Sequence, residues 1–297
     1  MAVLPLQEST PQAVQAPRGF GAQLLHNRKF TVGLAIFLLL LLGALLSGLL
    51  ADPAQRATGS FLPRRPPSAE AWLGTDSLGR SITVQLSEAI PKSIQIGLIA
   101  ATLGTLIGAL IGFIGGYFGG WIDGLLRILI DVFLSVPSLL FLILIAALVR
   151  GVSVQTMALI IGIFAWAWPA RQVRAQVLSL KERGFVEVAR MSGMTGMEII
   201  VRELMPHMIP WLGANFVNAF IAAILAESGL SILGLGPQGE MTLGMMIYWA
   251  LSYSAILNNL WWWWVTPVVT LMVLFLALYL VHLGFDEVAN PRLRAEG

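Results

Sequence analysis

The sequence predicts an all-α integral membrane protein with six transmembrane helices, and three observations carry that prediction. Of the 297 residues, 57% are hydrophobic and only 11% charged, where soluble domains carry about 25% charged residues. Mean hydropathy is +0.80. Apolar runs recur between Pro, Gly or charged boundaries, each near the roughly 20 residues that a helix needs to cross ~30 Å of hydrocarbon. The net charge of +2 gives no basis for a nucleic-acid partner, and the absence of cysteine removes disulfides and thiolate metal sites.

Taken in order, residues 1–30 read as a cytosolic N-terminal tail, and Met1 to about Arg18 has the composition of a disordered arm. The apolar run that follows starts too late and runs too long for a cleaved secretory signal, so 31–50 is a retained first span. An external loop is expected over 51–92, then a five-helix core over 93–285 with spans at 93–113, 125–149, 152–170, 208–233 and 264–284. A long cytosolic loop covers 171–207, and 286–297 forms a cytosolic C-terminal tail.

Orientation follows from cationic residues. With the N-terminus inside, the cytoplasmic side holds twelve of the eighteen Lys and Arg, leaving Arg56, Arg64, Arg65, Arg80, Lys92 and Arg150 outside. Both termini are therefore expected in the cytoplasm. Gly104, Gly108, Gly112, Gly116 and Gly120 recur every four residues, a smooth stripe suited to close helix contact. The glycine pairs flanking Tyr117 and Phe118 mark a helix end and a tight turn. Trp261 to Trp264 suit the headgroup interface, and Met241 to Asn259 reads as an external interfacial or re-entrant segment.

Two spans hold ionisable groups. Asp131 and Arg127, four apart, are expected to pair within one helix. Glu227 sits deep in the fifth span, where a carboxylate costs roughly 2.5 to 3.5 kcal/mol and so faces a bundle interior or water. A structural role is expected for it, with a place on the translocation path as the alternative. His26, His207 and His282 are scattered without ligand spacing, so no metal site is expected, and His207 reads as a solvated loop residue. No Gly-rich phosphate loop precedes any of the three lysines, so ATP has no site in this chain.

The loop over 171–207 is the most informative segment. Glu187-Val188-Ala189 is followed after three residues by Gly193, and Pro206 falls thirteen residues beyond that glycine. This resembles the signature of the membrane subunits of binding-protein-dependent ABC importers, with Val188, Glu203 and Met205 departing in type but not in spacing. Leu73 to Arg80, Gly116 to Asp123 with Arg127, Asp131 and Pro137, Ala223 to Gly236, and Asn290 to Arg294 are similar, in the same order, to segments of the dipeptide, oligopeptide and nickel permeases. Ser81 stands where that family usually has Asp.

The resemblance implies a type I ABC importer permease fold and no catalysis by this chain. It implies a homologous second permease subunit, two ATPase subunits that bind ATP and Mg, an extracytoplasmic solute-binding protein, and a bacterial or archaeal plasma membrane. Glu187, Ala189, Arg190, Gly193 and Pro206 are the implied ATPase-coupling residues, with small Ala189 and the glycine kink letting a short helix seat in a partner's groove. Di- or oligopeptides are the expected solutes. The alternatives are oligosaccharides or metal chelates, a secondary transporter or channel, or a structural subunit of a larger complex. No internal repeat supports the secondary transporter.

Overall fold

The computed structural model describes residues 20–149 and 151–289, and the N-terminal arm, Arg150 and the Asn290 to Arg294 motif lie outside the described residues. Within them the chain is helical, with one isolated bridge between Thr75 and Ser81. Helix α1 (Phe20–His26) falls inside the expected tail, and Asn27 then caps α2 (Arg28–Leu50) by accepting from the Phe30 amide at 3.0 Å. Leu39, Leu46, Leu49 and Leu50 on α2 are strongly exposed, as a lipid-facing helix requires.

Helix α3 (Ile82–Phe118) has 37 residues and is about 55 Å long, well beyond the hydrocarbon thickness. It starts eleven residues before the expected span, inside the supposed external loop. It stops where Gly119 and Gly120 adopt φ of +67° and +60°, conformations that L side chains avoid. The expected third span is built as α4 (Gly120–Ser135) and α5 (Ser138–Leu148), bent by 77°. The bend is at Pro137, which pushes Val136 into extended conformation (φ −96°, ψ 132°) and has no amide to continue the ladder.

The expected span over 152–170 is divided into α6 (Val154–Phe164) and α7 (Ala167–Leu180). Pro169 lacks the N–H that would bind the Ala165 carbonyl, and the helix breaks there. The supposed loop over 171–207 is mostly helical: the rest of α7, then α8 (Gly184–Met191), α9 (Gly196–Ile199) and a π-helical turn over Ile200–Leu204. Helix α10 (Met205–Ile232) follows, then the short α11 (Leu243–Ser252) and α12 (Trp261–Ala289). Among the described residues four helical stretches are long and apolar enough to cross a membrane, five if the bent α4–α5 pair is one span.

Packing follows the small residues. Cβ atoms added to Gly104, Gly108, Gly112 and Gly116 would meet Ala165 (2.8 Å), the Trp166 carbonyl (2.6 Å), Val173 Cβ (2.6 Å) and Val177 (2.9 Å). The stripe is thus the seat of α7, and Gly120, already beyond the end of α3, does not belong to it. A second core joins α2, α3, α10, α11 and α12 around Ile82, Phe220, Met246, Trp263 and Leu274. Helix α11 is packed into this core, with Leu243, Met245, Met246 and Ala250 fully buried.

The alternation of the long helices sets two faces. Asn27 donates to Glu287 at 2.6 Å and Lys29 pairs with the same carboxylate, so the start of α2 and the end of α12 share a face. Helix α3 brings Tyr117 back to that face, beside α8. The opposite face holds residues 51–81, tied to the head of α12 by Trp262 Nε1 donating to the Thr75 carbonyl at 3.1 Å.

Candidate functional site

Helix α8 lies on its own chain through one face. Val186 is fully buried and Ala189 nearly so, among Phe113, Val177, Ile199 and Leu204. Their three-residue spacing makes this a single stripe. Ala189 therefore seats α8 on its own bundle, which corrects the expectation that it enters a partner's groove. The outward face instead carries Glu187, Arg190, Val188 (63% exposed) and Met191 (76% exposed). Two bulky apolar side chains standing in the open beside charged ones are what a docking surface requires.

Gly193 closes α8. Its φ is +79°, its N–H donates to the Arg190 carbonyl at 3.0 Å, and the Met194 N–H donates to the Ala189 carbonyl at 3.2 Å. This pair of bonds is the glycine-terminated Schellman arrangement. A Cβ there would meet nothing within 4 Å, so backbone conformation and not space demands the glycine. Arg190 lies over the Tyr117 ring at 5.8 Å from its centroid. Pro206, exposed in the first turn of α10, removes the amide that would bind the Arg202 carbonyl. The preceding turn loosens accordingly, and the Met205 N–H reaches back to the Ile200 carbonyl. His207 is exposed but helical, stacked on Phe185 with centroids 4.5 Å apart and with Nδ1 against the Glu203 carbonyl, so it is not a loop residue.

A cavity of about 340 Å³ opens between the α4–α5 bend, the α6–α7 break and one face of α10. Phe133, Pro137, Phe164 and Trp168 form its aromatic and kinked walls, and Asn215, Asn218, Ala219, Ala222 and Ala226 line the α10 side. The mixture of apolar wall and two amides suits a small amphipathic solute. Sequence reasoning passed over both asparagines; their three-residue spacing on one face of an otherwise apolar span is the signal that could have found them.

Glu227 does not line this cavity, although its neighbour Ala226 does. It is fully buried and points towards α11. Its Oε1 alone accepts from Ser231 Oγ at 2.7 Å and from Thr242 Oγ1 at 2.6 Å, and Thr242 caps α11 by accepting from the Met245 amide. Ser93 of α3 accepts from the Leu243 amide at 3.0 Å. The carboxylate is thus the knot between α10 and α11 beside α3.

Residues 104–295 match the family described as binding-protein-dependent transport system inner membrane component. The chain belongs to that family. A peptide transport system permease protein of Brucella suis is 31% identical over 297 residues, covering 99% of this chain and 98% of the relative. An oligopeptide transport system permease protein of Mycobacterium bovis is 31% identical over 75% of this chain and 77% of its own length. The dipeptide transport system permease protein of Bacillus subtilis is 31% identical over 92% of this chain and 84% of the relative. A solved structure of the MetNI methionine ABC transporter in an inward-facing conformation superposes with a TM-score of 0.54 at 19% identity, over 68% of this chain and 94% of that one, and so shares the type I permease fold.

In this permease the other family-like segments have structural roles. Leu73 to Arg80 wraps a turn around buried Asp76, which accepts from the Leu78 and Arg80 amides, from Arg80 Nε at 2.7 Å and from Gln85 Nε2 at 3.0 Å. The entry to the third span carries ion pairs across helices. Asp123 of α4 takes a two-pronged bond from Arg174 of α7, the Nη2 branch at 2.6 Å, and this raises the Arg174 pKa above its ordinary value. Asp131 pairs with Arg127 at 3.7 Å within α4, as expected, and more closely with Arg171 of α7, so the pair is part of a three-membered cluster. Among the described residues no group of three His, Asp or Glu gathers as a metal site.

Proposed function

We propose that this permease forms half of the translocation path of an ATP-driven importer for di- or oligopeptides, and that α8 is where an ATPase subunit docks. The outward apolar pair Val188 and Met191, set between Glu187 and Arg190 on a helix anchored by Val186 and Ala189, carries this reading. The face that holds α8, the start of α2 and the end of α12 is then cytosolic, and residues 51–81 face the solute-binding protein. A homologous permease closes the open side of the cavity at Asn218 and Ala222. ATP and Mg reside on two ATPases, and this chain contributes no catalytic group. Three relatives whose names specify peptide, oligopeptide or dipeptide transport support the solute class.

The test is the ATPase rate of the reconstituted complex, stimulated by loaded binding protein. Val188→Glu or Met191→Glu, both at exposed positions, leaves the spans inserted and the binding protein's solute affinity unchanged. Each substitution lowers ATPase co-purification and the stimulated rate at least tenfold. Wild-type stimulation with the ATPases still bound would overturn the docking assignment. Offering peptides, oligosaccharides and nickel chelates to the cognate binding protein tests the solute class, and capture of a sugar or chelate but no peptide would overturn it.

A further inference from the structure

We infer that the Asp123–Arg174 pair is a strut that makes α4 and α7 move as one body, so that displacement of α8 reaches the cavity wall. The inference rests on the docking role proposed for α8 and adds the route by which docking acts. The first turn of α7, Ala167 to Pro169, is itself part of the cavity wall, and three residues separate the end of α7 from α8. One face of α7 is pressed into the glycine stripe of α3, with added Cβ atoms on Gly112 and Gly116 falling 2.6 Å and 2.9 Å from Val173 and Val177. Contact at that distance leaves no slack for independent rotation.

Another part of α7 reaches α4 through ionic contacts of two kinds. Arg174 and Asp123 are both largely buried, with side chains 21% and 18% exposed, and are joined by two bonds, a geometry that fixes orientation as well as distance. Arg171 and Asp131, one turn nearer the cavity, are about half exposed and individually weak. Ile130 of α4 packs with Ala167 and Ala170 of α7 between them. Helix α4 then runs directly into Phe133, Leu134 and the Pro137 bend of the cavity. The path from docking surface to cavity is thus α8, α7, α4 and the bend; among the described residues its lateral joints are the packing of Ile130 on Ala167 and Ala170 and the Asp123–Arg174 pair, and the two-bonded pair is the one whose geometry fixes orientation. Both residues are positioning residues, since neither lines the cavity.

The experiment uses the complete complex of both permeases, both ATPases and the binding protein in proteoliposomes, reading solute moved per ATP hydrolysed. Asp123→Asn and Arg174→Gln each keep the ATPases bound and stimulated hydrolysis within about twofold of wild type, while solute per ATP falls at least fivefold. The exchanged pair Asp123→Arg with Arg174→Asp regains at least half of the ratio. Separately, Asp131→Cys with Arg171→Cys, bridged by a short bifunctional thiol reagent in this cysteine-free chain, leaves the ratio unchanged, because the two helices do not move relative to each other. Wild-type ratios in the single variants, no recovery in an exchanged pair that assembles normally, or a bridge that stops transport until cleaved would each overturn the strut. Loss of the ATPases from the single variants would overturn it too, since the pair would then only seat α8. A wild-type complex that holds no ATPases would remove the docking reading first and the strut with it.

Discussion

Glu227 and Gly193 show how a residue's type can be legible in sequence while its task is not. A carboxylate in a span announces burial among polar groups, but only the fold reveals that both strong hydroxyl donors converge on one oxygen. That detail yields a prediction. Glu227→Gln keeps a carbonyl oxygen for Ser231 and Thr242, so the purified complex should melt within about 1 kcal/mol of wild type. Glu227→Leu strands both hydroxyls, at about 1–3 kcal/mol each, and should lower the melting midpoint clearly. Equal melting of the two variants would show that the knot holds nothing. At Gly193 the spacing pointed to a kink in a partner's groove, whereas the Cβ position is open and the positive φ makes the demand. Gly193→Ala and Gly193→Val should both destabilise the α8 segment by about 1–2 kcal/mol, seen as faster proteolysis between Lys181 and Arg202. A larger effect for Val than for Ala by several-fold would point to crowding instead.

At the scale of elements, sequence periodicity located the apolar runs well and their ends poorly. The 37 residues of α3 extend past any hydropathy window because polar Gln85, Ser87 and Lys92 are helical without being apolar. The bends at Pro137 and before Pro169 were visible as prolines, yet a proline fixes where a ladder is cut and not the angle that neighbours impose. The glycine stripe was read correctly as packing, and the identity of its partner was the missing part, since a stripe of small residues specifies closeness and no address. A consequence can be measured. Gly112→Leu drives a side chain into Val173 and the Ala170 carbonyl and should cost about 1–3 kcal/mol or block assembly. The same change at Gly124, which faces nothing within 4 Å, should be tolerated. Comparable yields of folded complex for both variants would contradict the assigned contact. The exposed face of α8 was half legible: the signature marked the segment, but the buried stripe had to be subtracted before Val188 and Met191 stood out.

For the molecule as a whole, the cationic count implied that both ends share a side, and the Asn27 and Lys29 contacts with Glu287 are independent support for a common face. Which side that is can be read by labelling. Cysteine at exposed Trp72 should react with an impermeant thiol reagent in intact cells, and cysteine at exposed Glu182 should react only after lysis. The reverse pattern would invert the orientation and with it the placement of the ATPases. The cavity was not legible at this scale, because it forms where three segments distant in sequence meet and its polar content is two amides among alanines.

The contact between α2 and α12 has a consequence for how the chain is made. Among the described spans α2 is made first and α12 last, and Asn27 meets Glu287 across 260 positions of sequence. Gly33 is notched for α12, with its Cβ position 2.6 Å from the Ala277 carbonyl. Until α12 is made, α2 must therefore wait with an empty notch and without the Glu287 partner of Asn27 Nδ2, available to membrane chaperones and proteases that recognise unpaired spans. A ribosome stalled before Trp261 should yield a chain whose α2 cross-links to lipid at its Gly33 face, and synthesis of α12 should silence that face.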